Sequence, residues 1–427
     1  MCTSLSKFIF SLLLFSSHFF ENGMIVYSLS MLSGQRIPSR KSLCTPTFTA
    51  AWDGQTYSLF DLPAVESWAF QRDLKEHHLK TLYRVLFSSM MNPEGKMKSS
   101  LKDRLIKEDF PSKHAENLCS IFSQTCSIKQ VNHSDGGYKF VVELPNGKFV
   151  ETVLIRHERK NGDVRYTICV SSQIGCAKKC SFCATGTMGF QGQLTSAEIL
   201  EQVFLVQQCL AALNESSSST QIRNCVFMGM GEPLDNYDSV HEALRGLTHQ
   251  CLFGFKAKQI TVSTVGASAR KIKMLADEAP KVSLALSLHS ALQKSREKLI
   301  PSALSTPITQ LGDALDYHAE KSGRGAMLEY LLIDGINDSD TEVEALADFC
   351  LKRSQKGRVF VNLIPYNPTI AGENFGYQTP SDERIYVFHD RLKDLGVNSF
   401  IRWSSATGRD TNGACGQLVL SSLSQTQ

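Results

Sequence analysis

Between residues 225 and 364 the chain switches repeatedly between two hydrophobic periods, and that switching restricts its architecture more than any other property. Short apolar runs near 225–229, 259–264, 282–289, 327–333 and 359–364 read as strands, with stretches of helical period near 240–250, 267–276, 307–321 and 341–352 between them. Consecutive strands separated by helices cannot pair as hairpins. They build a parallel sheet, either open or partly closed as a barrel, and such sheets bind ligands at the rim formed by the strand ends. At 427 residues with 42% apolar side chains, the chain is long enough for two or three domains around full cores. A formal charge of +3 permits a polyanionic partner without demanding one.

Two hairpins precede this region. The run 138–144 turns at Asn146-Gly147 into 148–156, and Asn161-Gly162 turns into 163–171. Thr195-Ser-Ala-Glu198 is a capping box opening an apolar helix to about residue 213. Further upstream, helical spacing in Leu74, Leu79, Leu82, Val85 and Leu86, then Leu101 and Leu105, marks a small helical region over 60–130. Lys96, Lys98, Lys102, Arg104 and Lys107 make it locally basic, although Asp103, Glu108 and Asp109 interrupt the run, so a solvated face and an RNA contact are equally open. Residues 1–52 combine an apolar stretch resembling a signal-peptide core with an acid-free, serine-rich stretch resembling an organelle transit segment. Translation from Met24 or Met31 is a third reading. The expectation is a cytoplasmic or organellar protein with no stable membrane partner.

Chemistry concentrates in Gly175-Cys-Ala-Lys-Lys-Cys-Ser-Phe-Cys-Ala184. Cys176, Cys180 and Cys183 are spaced as the thiolate ligands of an iron–sulfur cluster, and three ligands leave one iron of a cubane open to something other than protein. Structural zinc needs four closed ligands, and no second Cys/His pair lies near enough in sequence. Thirteen cysteines without regular spacing do not describe a secreted disulfide scaffold, and a reducing compartment fits them better. Downstream, Met228-Gly-Met-Gly-Glu-Pro233, Ser263, the Ser287-Leu288-His289 run and Asn367 all fall at expected strand ends, where they can line one pocket.

Together, the CX3CX2C loop with an aromatic before its last cysteine, the run Cys169-Val-Ser-Ser-Gln-Ile-Gly-Cys176, Gly229-Met-Gly-Glu-Pro233 and Ala414-Cys-Gly-Gln-Leu418 resemble the RlmN/Cfr family of radical-SAM RNA adenine methyltransferases, most closely its adenine carbon-2 branch. The resemblance covers about residues 137–420. It implies a partial (βα)6 radical-SAM barrel with a small helical N-terminal accessory domain that docks RNA. It also implies a [4Fe-4S] cluster on Cys176, Cys180 and Cys183, with S-adenosylmethionine against Gly231, Glu232, Ser263, Ser287, Leu288, His289 and Asn367. Cys415 matches the cysteine that becomes S-methylated, Cys169 its resolving partner, and Glu151 the proton acceptor.

Adenine carbon 2 lies between two ring nitrogens and is too electron-poor to attack a sulfonium methyl. A radical route avoids the mismatch. In the implied mechanism the methyl passes to Cys415, a 5′-deoxyadenosyl radical removes hydrogen from it, and the resulting carbon radical adds to the ring. Glu151 or the Cys169 thiolate then takes the carbon-2 proton, and Cys169 forms a disulfide with Cys415 as the methylated RNA leaves. The implied partners are rRNA or tRNA and an electron donor such as flavodoxin or ferredoxin. Thr411 and Gly413 depart from the family's usual isoleucine and alanine ahead of Cys415. Carbon-8 methylation, another radical-SAM reaction, and a non-catalytic RNA binder with structural zinc are the alternatives.

Overall fold

The computed structural model describes residues 56–88, 100–134, 136–158, 162–213, 221–353, 359–403 and 416–418. The 1–52 segment expected to carry targeting information, Lys96, Lys98 and Cys415 lie outside the described residues. All described residues belong to one compact unit, 49–427. Among them, no helix is long and apolar enough to cross a membrane.

A short strand, β1 (Tyr57–Ser58), leads into helices α1 (Leu62–Phe70), α2 (Glu76–Ser88), α3 (Leu101–Lys107) and α4 (Ser112–Ile121), and β2 (Phe122–Ser123) returns to pair with β1. Three antiparallel strands follow: β3 (Ser127–Ser134), β4 (Gly137–Glu143) and β5 (Phe149–Glu158), the last pairing with β6 (Val164–Cys169). A small ribbon, β7 (Gln173–Gly175) with β8 (Phe190–Gln193), brackets the cysteine loop and its one-turn helix α5 (Ala184–Thr187).

The β/α alternation begins with α6 (Ser196–Leu213) and β9 (Gln221–Phe227). It continues through α7 (Tyr237–Thr248), β10 (Ile260–Thr264), α8 (Ala269–Glu278), β11 (Ser283–Ser287), α9 (Gln293–Leu299), α10 (Ile308–Ser322), β12 (Met327–Leu332), α11 (Asp340–Leu351) and β13 (Phe360–Pro365). Beyond lie a one-turn α12 (Ile370–Glu373), α13 (Asp382–Asp394) and β14 (Ser399–Ile401). The capping box at Thr195 forms as expected: Glu198 N–H donates to Thr195 Oγ1 at 3.2 Å, and Thr195 N–H to Glu198 Oε2 at 2.7 Å.

The sheet runs β14-β13-β12-β11-β10-β9-β6-β5-β4-β3, parallel from β14 to β6 and antiparallel beyond. Six parallel strands, β6 and β9 to β13, are the expected (βα)6 set, with β14 added at one edge and the hairpin strands at the other. The sheet is strongly curled, since residues from β5, β6, β12 and β13, far apart in strand order, line a single cavity. Its lining alternates along β6, as Arg165, Thr167 and Cys169, and along β9, as Asn224 and Val226, so this face is the barrel interior.

The N-terminal helices share the barrel's hydrophobic core. Phe60 is fully buried and packs its ring 4.8 Å from Phe204 of α6 and 5.9 Å from Phe253. Burying such a ring contributes about 2–3 kcal/mol. Glu201 of α6, also fully buried, accepts the backbone amides of Thr125 at 2.9 Å and Cys126 at 2.6 Å together with the Ser58 hydroxyl. That carboxylate joins the chain on either side of α1–α4 to the first barrel helix.

Candidate active site

β6 ends at Cys169, and the chain runs extended to β7, where Gly175 turns at φ +70 into the cysteine loop. Cys176 N–H donates to Gly189 O at 3.0 Å, Ser181 N–H to Leu299 O at 3.0 Å and Cys183 N–H to Cys180 O at 3.1 Å. Thr369 Oγ1 donates to Phe182 O at 2.9 Å. The loop is therefore held by β8, α9 and the segment after β13 before any ligand binds. Cys176, Cys180 and Cys183 line one cavity of about 140 Å³ with Phe182, Val265 and Ile364. Burial pushes the Cys176 thiol up to about 12, the Cys180 thiol well above its usual range and Cys183 upward. Such thiols bind a metal centre only by losing their protons to it.

Among the described residues, no three His, Cys, Asp or Glu side chains converge tightly enough to hold a single metal ion. Three thiols around one cavity, with no fourth cysteine among its described lining residues, instead suit a cubane, which takes each thiolate on a separate iron. The donor set fits the expected cluster.

Gly231, Glu232, Ser263, Ser287 and His289 line the same cavity. Glu232 follows β9, and its carboxylate accepts N–H groups from Leu234 at 3.1 Å and Val265 at 2.9 Å. It is 3% exposed, and burial raises its pKa. A Cβ on Gly229 would stand 2.6 Å from Val170 O, and one on Gly231, whose φ is +103, 2.6 Å from Gln173 Cβ. These glycines thus admit the close approach of the segment between Cys169 and Cys176. His289 adopts φ +58, accepts Leu331 N–H on Nδ1 at 3.0 Å and sets its ring edge-on to Phe182 at 4.7 Å. Leu288 and Asn367 are buried and do not line the cavity, and Asn367 Nδ2 has no hydrogen-bond partner among the described residues.

A second cavity of about 520 Å³ opens beside the first, and Met228, Glu329, Ile364 and Leu418 line both. Cys169 faces this larger space. Arg165, Lys258, Arg402, His157, Tyr138 and Trp403 surround its mouth with cationic and aromatic groups. His157 Nε2 lies 3.0 Å from Thr167 Oγ1; burial, then Arg165 and Arg402, lower its pKa. Sequence reading missed this cavity because its lining is gathered from segments spread between Ser134 and Leu418.

Read in isolation, Glu151 is a solvated hairpin carboxylate. It is instead fully buried and ion-paired with Lys139, Nζ to Oε1, at 3.0 Å. The register aligns Lys139, Val153 and Cys169 across β4, β5 and β6, so the pair shares the interior face with Cys169. Charge compensation by Lys139 makes that burial tolerable.

Residues 170–349 match the Radical SAM superfamily model. A probable dual-specificity RNA methyltransferase RlmN of Salinibacter ruber is 40% identical over 295 residues, covering 68% of this chain and 76% of the relative. The chain belongs to the RlmN family. A second relative of that name, from Streptococcus thermophilus, is 32% identical over 368 residues, covering 86% of this chain and 89% of its own. A crystal structure of a radical SAM methyltransferase from Sphaerobacter thermophilus superposes with a TM-score of 0.72 at 32% identity, covering 85% of this chain and 99% of that one. As in other RlmN-family radical SAM enzymes, the cofactors are a [4Fe-4S] cluster and S-adenosylmethionine.

Proposed function

We propose that this RlmN-family enzyme methylates carbon 2 of an unstacked adenine in rRNA or tRNA. The observation supporting this reading is the junction of two unlike cavities: the cysteine-lined one meets the larger one, faced by Cys169 and rimmed by cations, along Met228, Glu329, Ile364 and Leu418. Cofactor chemistry and a polyanionic substrate thus have adjoining spaces. When bound, the cluster and S-adenosylmethionine supply a methyl group and a 5′-deoxyadenosyl radical.

In this reading Cys176, Cys180 and Cys183 hold the cluster. Gly231, Glu232, Ser263, Ser287, Leu288, His289 and Asn367 bind S-adenosylmethionine, through side chains at the cavity or through backbone behind it. Cys415 carries the methyl to the base. Glu151 or the Cys169 thiolate receives the carbon-2 proton, and Cys169 displaces the Cys415 sulfur as a disulfide, which an external thiol reduces for the next turnover. Residues 60–130 are the accessory part that docks RNA, 137–420 the catalytic core, and an acidic flavodoxin or ferredoxin delivers the electron. An unstacked target follows from the need to expose a ring carbon that stacking covers.

Nucleoside mass spectrometry of rRNA and tRNA treated with anaerobically reconstituted enzyme tests the proposal. We expect 2-methyladenosine in at least one pool, together with 5′-deoxyadenosine. Methyl on carbon 8, or a colourless protein with stoichiometric zinc and no 5′-deoxyadenosine, would overturn it.

A further inference from the structure

Two cations lie deep in this structure, and they are balanced differently. Lys139 has its counter-charge in Glu151 at 3.0 Å. Arg296 of α9 is 0% exposed, and among the described residues no carboxylate forms an ion pair with it. Its Nη1 donates to Ser287 O at 3.0 Å and to Leu288 O, its Nη2 donates to Val265 O, and its Nε has no partner. These carbonyls lie at the C-terminal ends of β10 and β11 and just beyond, beside Ser263 and His289. Neutral carbonyls alone are poor compensation for a buried guanidinium, which costs several kcal/mol to desolvate. An anion belongs nearby.

The neighbourhood shows where it would come from. α9 is tied directly to the cysteine loop, with Ser181 N–H donating to Leu299 O at 3.0 Å. Arg296 stands three residues before Leu299 on the same helix, so its buried charge sits on the element that holds the cysteine loop. A cubane held by three thiolates carries net negative charge, and reduction adds another unit.

We infer that Arg296 is a positioning residue for both cofactors, pinning the two turns that bind S-adenosylmethionine and supplying the positive charge against which the [4Fe-4S] cluster is reduced. The inference rests on Cys176, Cys180 and Cys183 being the cluster ligands. Fixing both turns calls for the forked donor geometry of arginine, whereas the electrostatic role calls for any cation.

Arg296→Met and Arg296→Lys separate the two roles in anaerobically reconstituted enzyme, using a dithionite titration followed by electron paramagnetic resonance and equilibrium dialysis of S-adenosylmethionine. The Met variant should show a more negative cluster potential and about tenfold weaker S-adenosylmethionine binding, from the lost charged hydrogen bonds. The Lys variant should keep a potential near wild type yet bind S-adenosylmethionine as weakly as the Met variant. Should Met fail to fold, Arg296→Gln replaces it as the neutral variant; loss of the cluster in neutral variants with retention in Lys also supports the charge role. Full clusters with wild-type potential and affinity in both variants would overturn the inference alone. A wild-type protein that takes up no iron would overturn the cysteine assignment, and this inference with it.

Discussion

The two cavities that meet at Met228, Glu329, Ile364 and Leu418 differ in almost every physical respect. The cysteine end is small, and its loop is held by hydrogen bonds from three surrounding segments. The other end is several times larger, opens beside the hairpin strands and collects Arg165, Lys258 and Arg402. A small cavity lined by buried thiols suits electron transfer and a reactive radical, because electrostatic interactions are stronger away from bulk water. A wide cationic mouth suits a phosphate backbone, whose binding is driven by counterion release. One curled sheet provides both because neighbouring strands present alternate residues to a shared interior.

The contrast can be broken most severely at the dry end. Cys180→Ser should lower bound iron and 5′-deoxyadenosine formation by at least about a hundredfold, measured by metal analysis and chromatography, while leaving RNA affinity close to wild type. Loss of RNA binding in the same variant would mean that the two ends are not separable.

His289 tests the dryness itself. Burial lowers its pKa to about 3, below the 6.5 of an unfolded histidine. Its contribution is intact above pH 6.5 and is lost as the pH falls from 6.5 toward 3, because the unfolded chain takes up the proton first. Urea unfolding should therefore show a loss on the order of 4 kcal/mol over that window. His289→Asn tolerates the left-handed backbone and should flatten the dependence.

At the wet end, Arg165→Gln and Arg402→Gln should each weaken RNA binding by about fivefold to tenfold and reduce the salt slope by about one, as read by filter binding at several ionic strengths. Neither should change 5′-deoxyadenosine formation without RNA. An unchanged salt slope would remove that mouth as the RNA contact. The smallest effect expected is on His157, whose pKa Arg402 helps to hold down; Arg402→Gln should move its titration upward in an NMR pH series.

Much of the scaffold was legible because it obeys local rules. The five strands from β9 to β13 and their helices lie within a few residues of the positions read from hydrophobic period. Asn146-Gly147 sits at the expected turn, and Gly147 and Gly162 have φ of +76 and +83. β3 and β14 escaped notice because one is polar and the other only three residues long, and their pairing supplies what their own sequence lacks. The site divides similarly. Cysteine spacing singled out three thiols that line one cavity, whereas Glu151 read alone looked like a surface group until its partner Lys139 was placed beside it. Arg296 carries no motif, and its importance lies in the carbonyls brought to it from two distant turns.

By itself, then, the sequence determined the β/α alternation, the thiolate triplet and the strand-end motifs, since each depends on residue type at short spacing. Tertiary structure decided which carboxylate is buried with a cation, which arginine is buried without one, and where two cavities join. Those outcomes depend on how far the sheet curls and which remote side chains it brings together, and no local pattern encodes a distance between segments a hundred residues apart.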